Sequence, residues 1–201
     1  MTHYFSEKQH SKPAKHAIEA LLRGNRVIFV SASGTFSKKR IDAGTRLLIE
    51  KSLLQDGWKV LDLGCGYGPV GIAVAKAFPK AEVVMTDVNE RAVALAQDNV
   101  KLNKLGNARV LKGSLYNPVA EEKFHAILLN PPMAAGRKLC FEMIEKSVEH
   151  LVPGGLLELV ARHNKGGRML EEKMKEVFGN VEQLAKKSGY RVYVSALPKS
   201  P

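Results

Sequence analysis

Short apolar runs alternate with amphipathic stretches along most of the chain, the pattern of strands and covering helices in a doubly wound α/β sheet. Runs at 59–63, 82–86, 108–112, 124–129 and 155–161 read as its strands. The stretches 69–78, 90–103 and 138–151 carry apolar residues at helical spacing. Val93, Ala96 and Val100 share a face of the second, and Cys140, Ile144, Val148 and Leu151 share a face of the third. Pro153-Gly154-Gly155 is expected to stop that third helix. Upstream, Val27-Ile28-Phe29-Val30 predicts a strand of an N-terminal hairpin. Ala43 to Leu54 predicts a helix with Thr45, Leu48 and Ser52 near one another on its surface. Downstream, a helix near 167–177 precedes segments 180–185 and 190–196, which the residues from Lys186 to Gly189 join as an antiparallel pair at the sheet edge.

Two strand ends carry candidate chemistry. The first strand runs through Asp62 and Leu63 into Gly64-Cys65-Gly66-Tyr67-Gly68-Pro69. These glycines permit a tight turn whose backbone amides approach a ligand closely, and Pro69 suits a first helical turn, where a missing donor is harmless. Gly66-x-Gly68-x-x-Gly71 also matches the dinucleotide fingerprint, with Asp87 about 20 residues further on. A nicotinamide or flavin oxidoreductase is therefore a competing reading. Against it, the turn begins earlier, at Gly64. Asp62 would also repel a pyrophosphate there, yet attract a cofactor bearing an ammonium and a sulfonium. Asp87 ends the next strand, where a carboxylate can accept both hydroxyls of a ribose. Its alternative role as a helix cap is already suited to Asn89.

The second strand end is Asn130-Pro131-Pro132, after Ala126–Leu129. Both prolines lack a ladder donor and fix φ, and each restricts the residue before it. A side-chain amide and a backbone carbonyl are thus held stiffly at a carboxyl strand end, where open α/β sheets take their ligands. The bland alternative is a strand stop followed by a turn.

Composition narrows the class. At 201 residues the chain reads as one domain able to bury a core without staples. Residues 1–15 read as loose, 18–55 as an N-terminal segment and 56–197 as the cofactor-binding catalytic core. No apolar stretch reaches the ~20 residues of a membrane span, and no secretory leader is expected. Cys65 and Cys140 have no metal-ligand spacing and read as free thiols of a cytoplasmic protein; no metal is expected, and a monomer is. The formal net charge of +11 comes from 31 basic and 20 acidic residues. Lys38-Lys39-Arg40, Arg137-Lys138, Arg162-His163-Asn164-Lys165, Arg168 and Lys186-Lys187 carry much of the surplus. Such a surface attracts polyanions, although lysine-rich faces also serve solubility alone.

Asp62 to Gly68, Asp87 and Asn130-Pro131-Pro132 together resemble the class I S-adenosylmethionine-dependent methyltransferases that modify amino groups. Ser33-Gly34-Thr35-Phe36-Ser37 and Asp42-Ala43-Gly44-Thr45-Arg46-Leu47-Leu48 extend the resemblance to the "methyltransferase small domain" family. That family includes bacterial ribosomal RNA guanine-N2 methyltransferases and compact archaeal proteins. The archaeal type is matched down to Val177–Val181 and Gly189–Val192. The similarity spans roughly residues 18–196. It implies a mostly parallel, seven-stranded Rossmann-like sheet with the last strand inserted between its neighbours, preceded by a β-hairpin and helix. It implies S-adenosylmethionine as cofactor, held by Asp62, Gly64, Cys65, Gly66, Gly68, Asp87, Val88, Ser114 and Asn130. Catalysis would fall to Asn130, Pro131 and Pro132, with Met133, Phe36 and Arg137 against a substrate in ribosomal RNA or the ribosomal subunit.

Two departures stand out. Amino-methylating relatives usually place an aromatic where this chain has Met133, so Phe36 or Tyr67 is considered as a substitute ring. Relatives often carry an acid where this chain has Ser114. A protein glutamine N5-methyltransferase, or a non-catalytic RNA-binding protein of the same fold, remain alternatives.

Overall fold

Alternation within the central strands feeds two separate cores. In β3 (Lys59–Leu63), Val60 faces one side of the sheet and Leu61 and Leu63 the other. In β4 (Glu82–Asp87), Val83 and Met85 oppose Val84; in β6 (Phe124–Leu129), Ala126 and Leu128 oppose Ile127 and Leu129. Strands covered on both faces need apolar residues at successive positions, which is why they appear in sequence as continuous runs. The computed structural model describes residues 15–32 and 40–199; the Ser33-to-Ser37 stretch with Phe36, Lys38-Lys39 and the loose start expected before Lys15 lie outside the described residues.

β5 (Ala108–Lys112), β7 (Leu151–Arg162), β8 (Glu182–Lys187) and β9 (Tyr190–Ala196) complete a seven-stranded sheet of order β5-β4-β3-β6-β7-β9-β8. Only β9 runs against its neighbours, inserted between β7 and β8. One face is covered by α1 (Ala43–Lys51), α2 (Pro69–Ala77), α3 (Glu90–Leu102) and a separate hairpin, β1 (Lys15–Leu22) with β2 (Asn25–Ala32). The other face is covered by α4 (Arg137–Ser147) and α5 (Arg168–Phe178). The doubly wound, mostly parallel sheet with an N-terminal hairpin and helix is thus the fold the apolar pattern and the family resemblance imply.

The hairpin docks through an unusual seam. Asn99, on α3, and Asn103, the residue that caps its end, stand in for a strand against the free edge of β2. Asn99 Oδ1 accepts from Val30 N and its Nδ2 donates to Val30 O; Asn103 does the same with Ile28. Each amide reproduces a peptide group, so backbone that would otherwise be orphaned is satisfied. Asn99 Nδ2 also reaches Tyr67 O, tying the seam to the glycine turn.

Two expected helix ends move by three residues or more, and β8 takes in Lys186 and Lys187, expected in the connection. α1 ends at Lys51, short of Leu54, and its Thr45, Leu48 and Ser52 face is buried, not superficial. The helix stops because its next backbone groups are taken from outside: Arg23 donates to Ile49 O and Ser52 O, and Leu53 N donates to Glu158. Likewise α4 ends at Ser147, and after one 3-10 turn β7 begins at Leu151 instead of residue 155. His150, expected within the helix, stacks on Tyr116 with ring centroids 4.4 Å apart. Pro153-Gly154-Gly155 lies inside the strand as a bulge, for Phe124 pairs with Leu151 but Ala126 with Leu156. Gly154 takes φ +78, and a Cβ on Gly155 would sit 2.8 Å from Val152 O.

Glu158, on a central strand, is fully buried; one carboxyl oxygen accepts from Leu53 N and Oε2 has no partner among the described residues. Burial pushes its carboxyl up to about 7, against the opposing pull of Leu53 N, Arg23 and Ser52. A raised acid contributes stability that is complete below its unfolded value of 4.5 and is lost as pH rises through about 7. Between pH 5 and pH 8 the wild type should lose roughly 2–3 kcal/mol more unfolding free energy than Glu158→Gln. Parallel denaturation curves would contradict this.

Candidate active site

Strand order reverses beside β3: the chain proceeds to β4 and β5 on one side and returns to β6 and β7 on the other. A crevice opens at such a switch point, beyond the carboxyl ends of the strands. Leu63 on β3 is paired with Leu129 on β6. The residues that follow, Gly64 and Asn130, therefore emerge side by side. The register alone brings the two candidate motifs together.

The glycine turn is held from below. Gly64 N and Cys65 N both donate to Thr86 O, and Gly66 N donates to Asp87 Oδ2 at 2.8 Å. Gly64, Gly66 and Gly68 all have positive φ, at 74, 60 and 91°. A Cβ on Gly64 would meet nothing closer than Met143 Cε at 3.8 Å, so the turn is open above that residue. Asp62 Oδ2 accepts from Gly71 N at 2.8 Å, an approach that a side chain at Gly71 would foul, since its Cβ would lie 2.4 Å from Met85 Cγ. Asp87 Oδ1 accepts from Asn89 N, while Asn89 itself caps α3 through Ala92 N. Asp87 is thus the brace of the turn, and the cap belongs to Asn89.

Burial raises the carboxyls of both Asp62 and Asp87. Asp62 reaches about 7, helped by the neighbouring Asp87 charge and opposed by Gly71 N. The same surroundings push the Cys65 thiol well up. Two carboxylates in a water-poor crevice at an open glycine turn fit a cationic ligand with a ribose, and they fit a pyrophosphate poorly. Val88 is half-buried beside Asp87, and Ser114 is exposed in the loop after β5.

On the facing side, Asn130 is half-buried and Pro131 buried. Pro132, at φ −76 and ψ 74, makes an inverse γ-turn in which Pro131 O accepts from Met133 N at 2.9 Å. That carbonyl keeps one lone pair. Asn130 Nδ2 donates to Thr45 Oγ1 at 2.9 Å, and the Thr45 hydroxyl donates to the Asp42 carboxylate. Asp42 also caps α1 through Gly44 N and Thr45 N. Asn130 Oδ1 has no partner among the described residues.

Of the predicted site residues, Asp62, the glycines, Asp87, Val88, Asn130 and Pro131 converge at the switch point. Met133 opens the next turn and packs against Gly166, where a Cβ would lie 2.4 Å from its methyl. Arg137 starts α4 and is exposed, 5.9 Å over the Phe141 ring. Tyr67 is not available as a stacking platform: it is buried edge-on against Phe29, 5.8 Å between centroids. Asp42 and Thr45 are brought to the site without having been assigned a role there; their signal was their place in the Asp42–Leu48 motif that opens α1.

A family model described as methyltransferase small domain matches residues 26–194. The chain belongs to that family. It is accordingly an S-adenosylmethionine-dependent methyltransferase with the class I fold. A Bacillus subtilis protein, YbxB, is 40% identical over 194 residues, covering 94% of this chain and 96% of its own. Ribosomal RNA small subunit methyltransferase C of Hamiltonella defensa is 35% identical over 82% of this chain but only 48% of its own length. Among solved structures, the T. thermophilus 16S rRNA N2 methyltransferase RsmC, in complex with AdoMet and guanosine, superposes with a TM-score of 0.78 at 26% identity. The match covers 90% of this chain and 50% of that one. The chain thus spans about half the length of the ribosomal RNA methyltransferases it matches.

A cation seated against Asp62 binds the ionised carboxylate and so competes with its proton. S-adenosylmethionine should bind about tenfold more tightly at pH 8 than at pH 6, with the dependence flattened in Asp62→Asn. Calorimetry at several pH values reads this directly, and a wild-type dissociation constant independent of pH would refute it.

Proposed function

We propose that this enzyme methylates ribosomal RNA and that its target is the exocyclic N2 amine of a guanine. The observation that carries the reading is a pair of acceptors, Asn130 Oδ1 and the remaining lone pair of Pro131 O, beside a glycine turn flanked by buried carboxylates. A guanine amine is a poor nucleophile because its lone pair is delocalised into the ring. Two acceptors against its N–H bonds turn that lone pair out of conjugation and stabilise the positive charge growing on nitrogen. The proline-fixed backbone keeps them stiff, so little reorganisation is needed at the moment of transfer.

The cofactor supplies an electrophilic methyl group on a sulfonium. Asp62 favours its positive end, the outer lone pairs of Asp87 serve the ribose hydroxyls, and Val88 and the Ser114 hydroxyl border the adenine. Met133 offers the base a soft apolar wall where an aromatic would be stiffer. Arg137, at the start of α4, suits a phosphate.

Charge placement supports a polyanionic substrate. At the amino ends of the strands, Lys59 and Arg109 are neutralised by Glu82 and Glu122. At the carboxyl ends, Arg137, Lys138, Arg162, Lys165, Lys186 and Lys187 make no ion pair among the described residues. Unpaired positive charge is therefore left at the carboxyl end of the sheet, while the pairs with Glu82 and Glu122 offset it at the opposite end. RsmC, to which the chain is similar, is named as a ribosomal RNA N2 methyltransferase.

With tritiated S-adenosylmethionine, label should enter the RNA of unmodified small ribosomal subunits. Asn130→Ala should slow transfer by about 10²–10³-fold, as loss of one preorganised charge-stabilising group does, and leave S-adenosylhomocysteine affinity unchanged. Label in protein would instead favour glutamine methylation, and full activity of Asn130→Ala would remove the mechanism.

A further inference from the structure

An asparagine amide has nearly the same shape in its two flipped orientations, so packing alone does not choose which end faces a ligand. The hydrogen-bond network does. Thr45 has a single hydroxyl hydrogen, and it is committed to Asp42, a carboxylate that can only accept. Thr45 Oγ1 therefore turns lone pairs towards Asn130, and the amide must meet them with its NH2. Oδ1 is left over as the outward group.

We infer that Asp42 and Thr45 are positioning residues that set the polarity of Asn130, committing its oxygen and not its NH2 to the substrate. The inference rests on the reading of Asn130 as an acceptor for the target amine, and it adds a selectivity. With Oδ1 and Pro131 O both outward, the crevice accepts a group bearing two N–H bonds. A ring nitrogen or carbonyl in the same place would meet lone pair against lone pair. The flipped amide would invert that preference, setting N–H against N–H at the reacting nitrogen.

The link spans distant chain segments, since Thr45 and Asn130 are 85 residues apart, and both its ends are held. Asp42 is fixed by Gly44 N and Thr45 N at the start of α1. Thr45 is almost fully buried, which keeps water from substituting for either partner.

Asp42→Asn separates polarity from structure. Asparagine caps a helix about as well as aspartate, so α1 is retained. Its side-chain oxygen goes to the two cap amides, and its NH2 then donates to Thr45. The threonine hydrogen is released to Asn130, which must answer with its oxygen; the relay is reversed.

The test compares kcat for methylation of small ribosomal subunits, the dissociation constant for S-adenosylhomocysteine and Tm. Asp42→Asn should lower kcat by about 10²-fold with affinity and Tm unchanged. Thr45→Val, which frees the amide without inverting it, should lower kcat by about tenfold, the cost of one weakened interaction of ~1.4 kcal/mol. Thr45→Ser, which keeps the hydroxyl, should restore wild-type turnover. If Asn130→Ala is inactive while Asp42→Asn and Thr45→Val turn over like wild type, the polarity inference is wrong and the acceptor reading stands. If Asn130→Ala itself turns over normally, the acceptor reading fails.

Discussion

The site depends on one pairing, the parallel ladder between β3 and β6 that ends with Leu63 opposite Leu129. Gly64 and Asn130, which open the two motifs, lie one residue beyond it. A shift of two residues along that ladder would carry the Asn130 amide roughly 6.6 Å from the glycine turn, at about 3.3 Å per residue. A shift of one would turn every side chain of β6 to the opposite core. Ala126 and Leu128 on one face, and Ile127 and Leu129 on the other, are all fully buried, so the hydrophobic pattern holds the register in which the motifs meet. The geometry of the candidate site is in this sense a by-product of core packing.

Upon that scaffold the charges are sorted by position. Acidic groups at the glycine turn are buried and braced by backbone amides, with Asp62 against Gly71 and Asp87 against Gly66 and Asn89. Burial raises both carboxyls, because the crevice is an unfavourable home for negative charge. Basic groups outside are surface side chains at the carboxyl end of the sheet, suited to long-range attraction. Under the proposed function the two populations serve different partners, the inner one the cofactor and the outer one the substrate.

Much of this was legible in the chain because it is local. The glycine turn, Pro69 at a helix start and the proline-stiffened Asn130 are decided by neighbours in sequence, and the strands by runs of apolar residues. What was not legible depends on distant partners. Nothing near Ser52 announces that Arg23 and Glu158 will take its neighbours' backbone groups and end α1 early. Asn99 and Asn103 look like polar positions on an amphipathic helix, yet they complete a strand edge. Tyr67 looked like a free ring in a glycine turn until Phe29, from the hairpin, covered it. Pro153-Gly154-Gly155 reads equally as a helix stop or a bulge, and only the pairing of β7 with β6 decides. The Asp42–Thr45–Asn130 chain joins a helix cap to a strand end, and no periodicity encodes that meeting.

The most direct measurement of the central claim is a crystal structure of the enzyme with S-adenosylhomocysteine and guanosine. The account predicts the homocysteine sulfur over the Gly64–Gly68 turn and the guanine amine between Asn130 Oδ1 and Pro131 O, with Asn130 Nδ2 still on Thr45. A base bound elsewhere, or an amide that turns its NH2 to the amine, would contradict it.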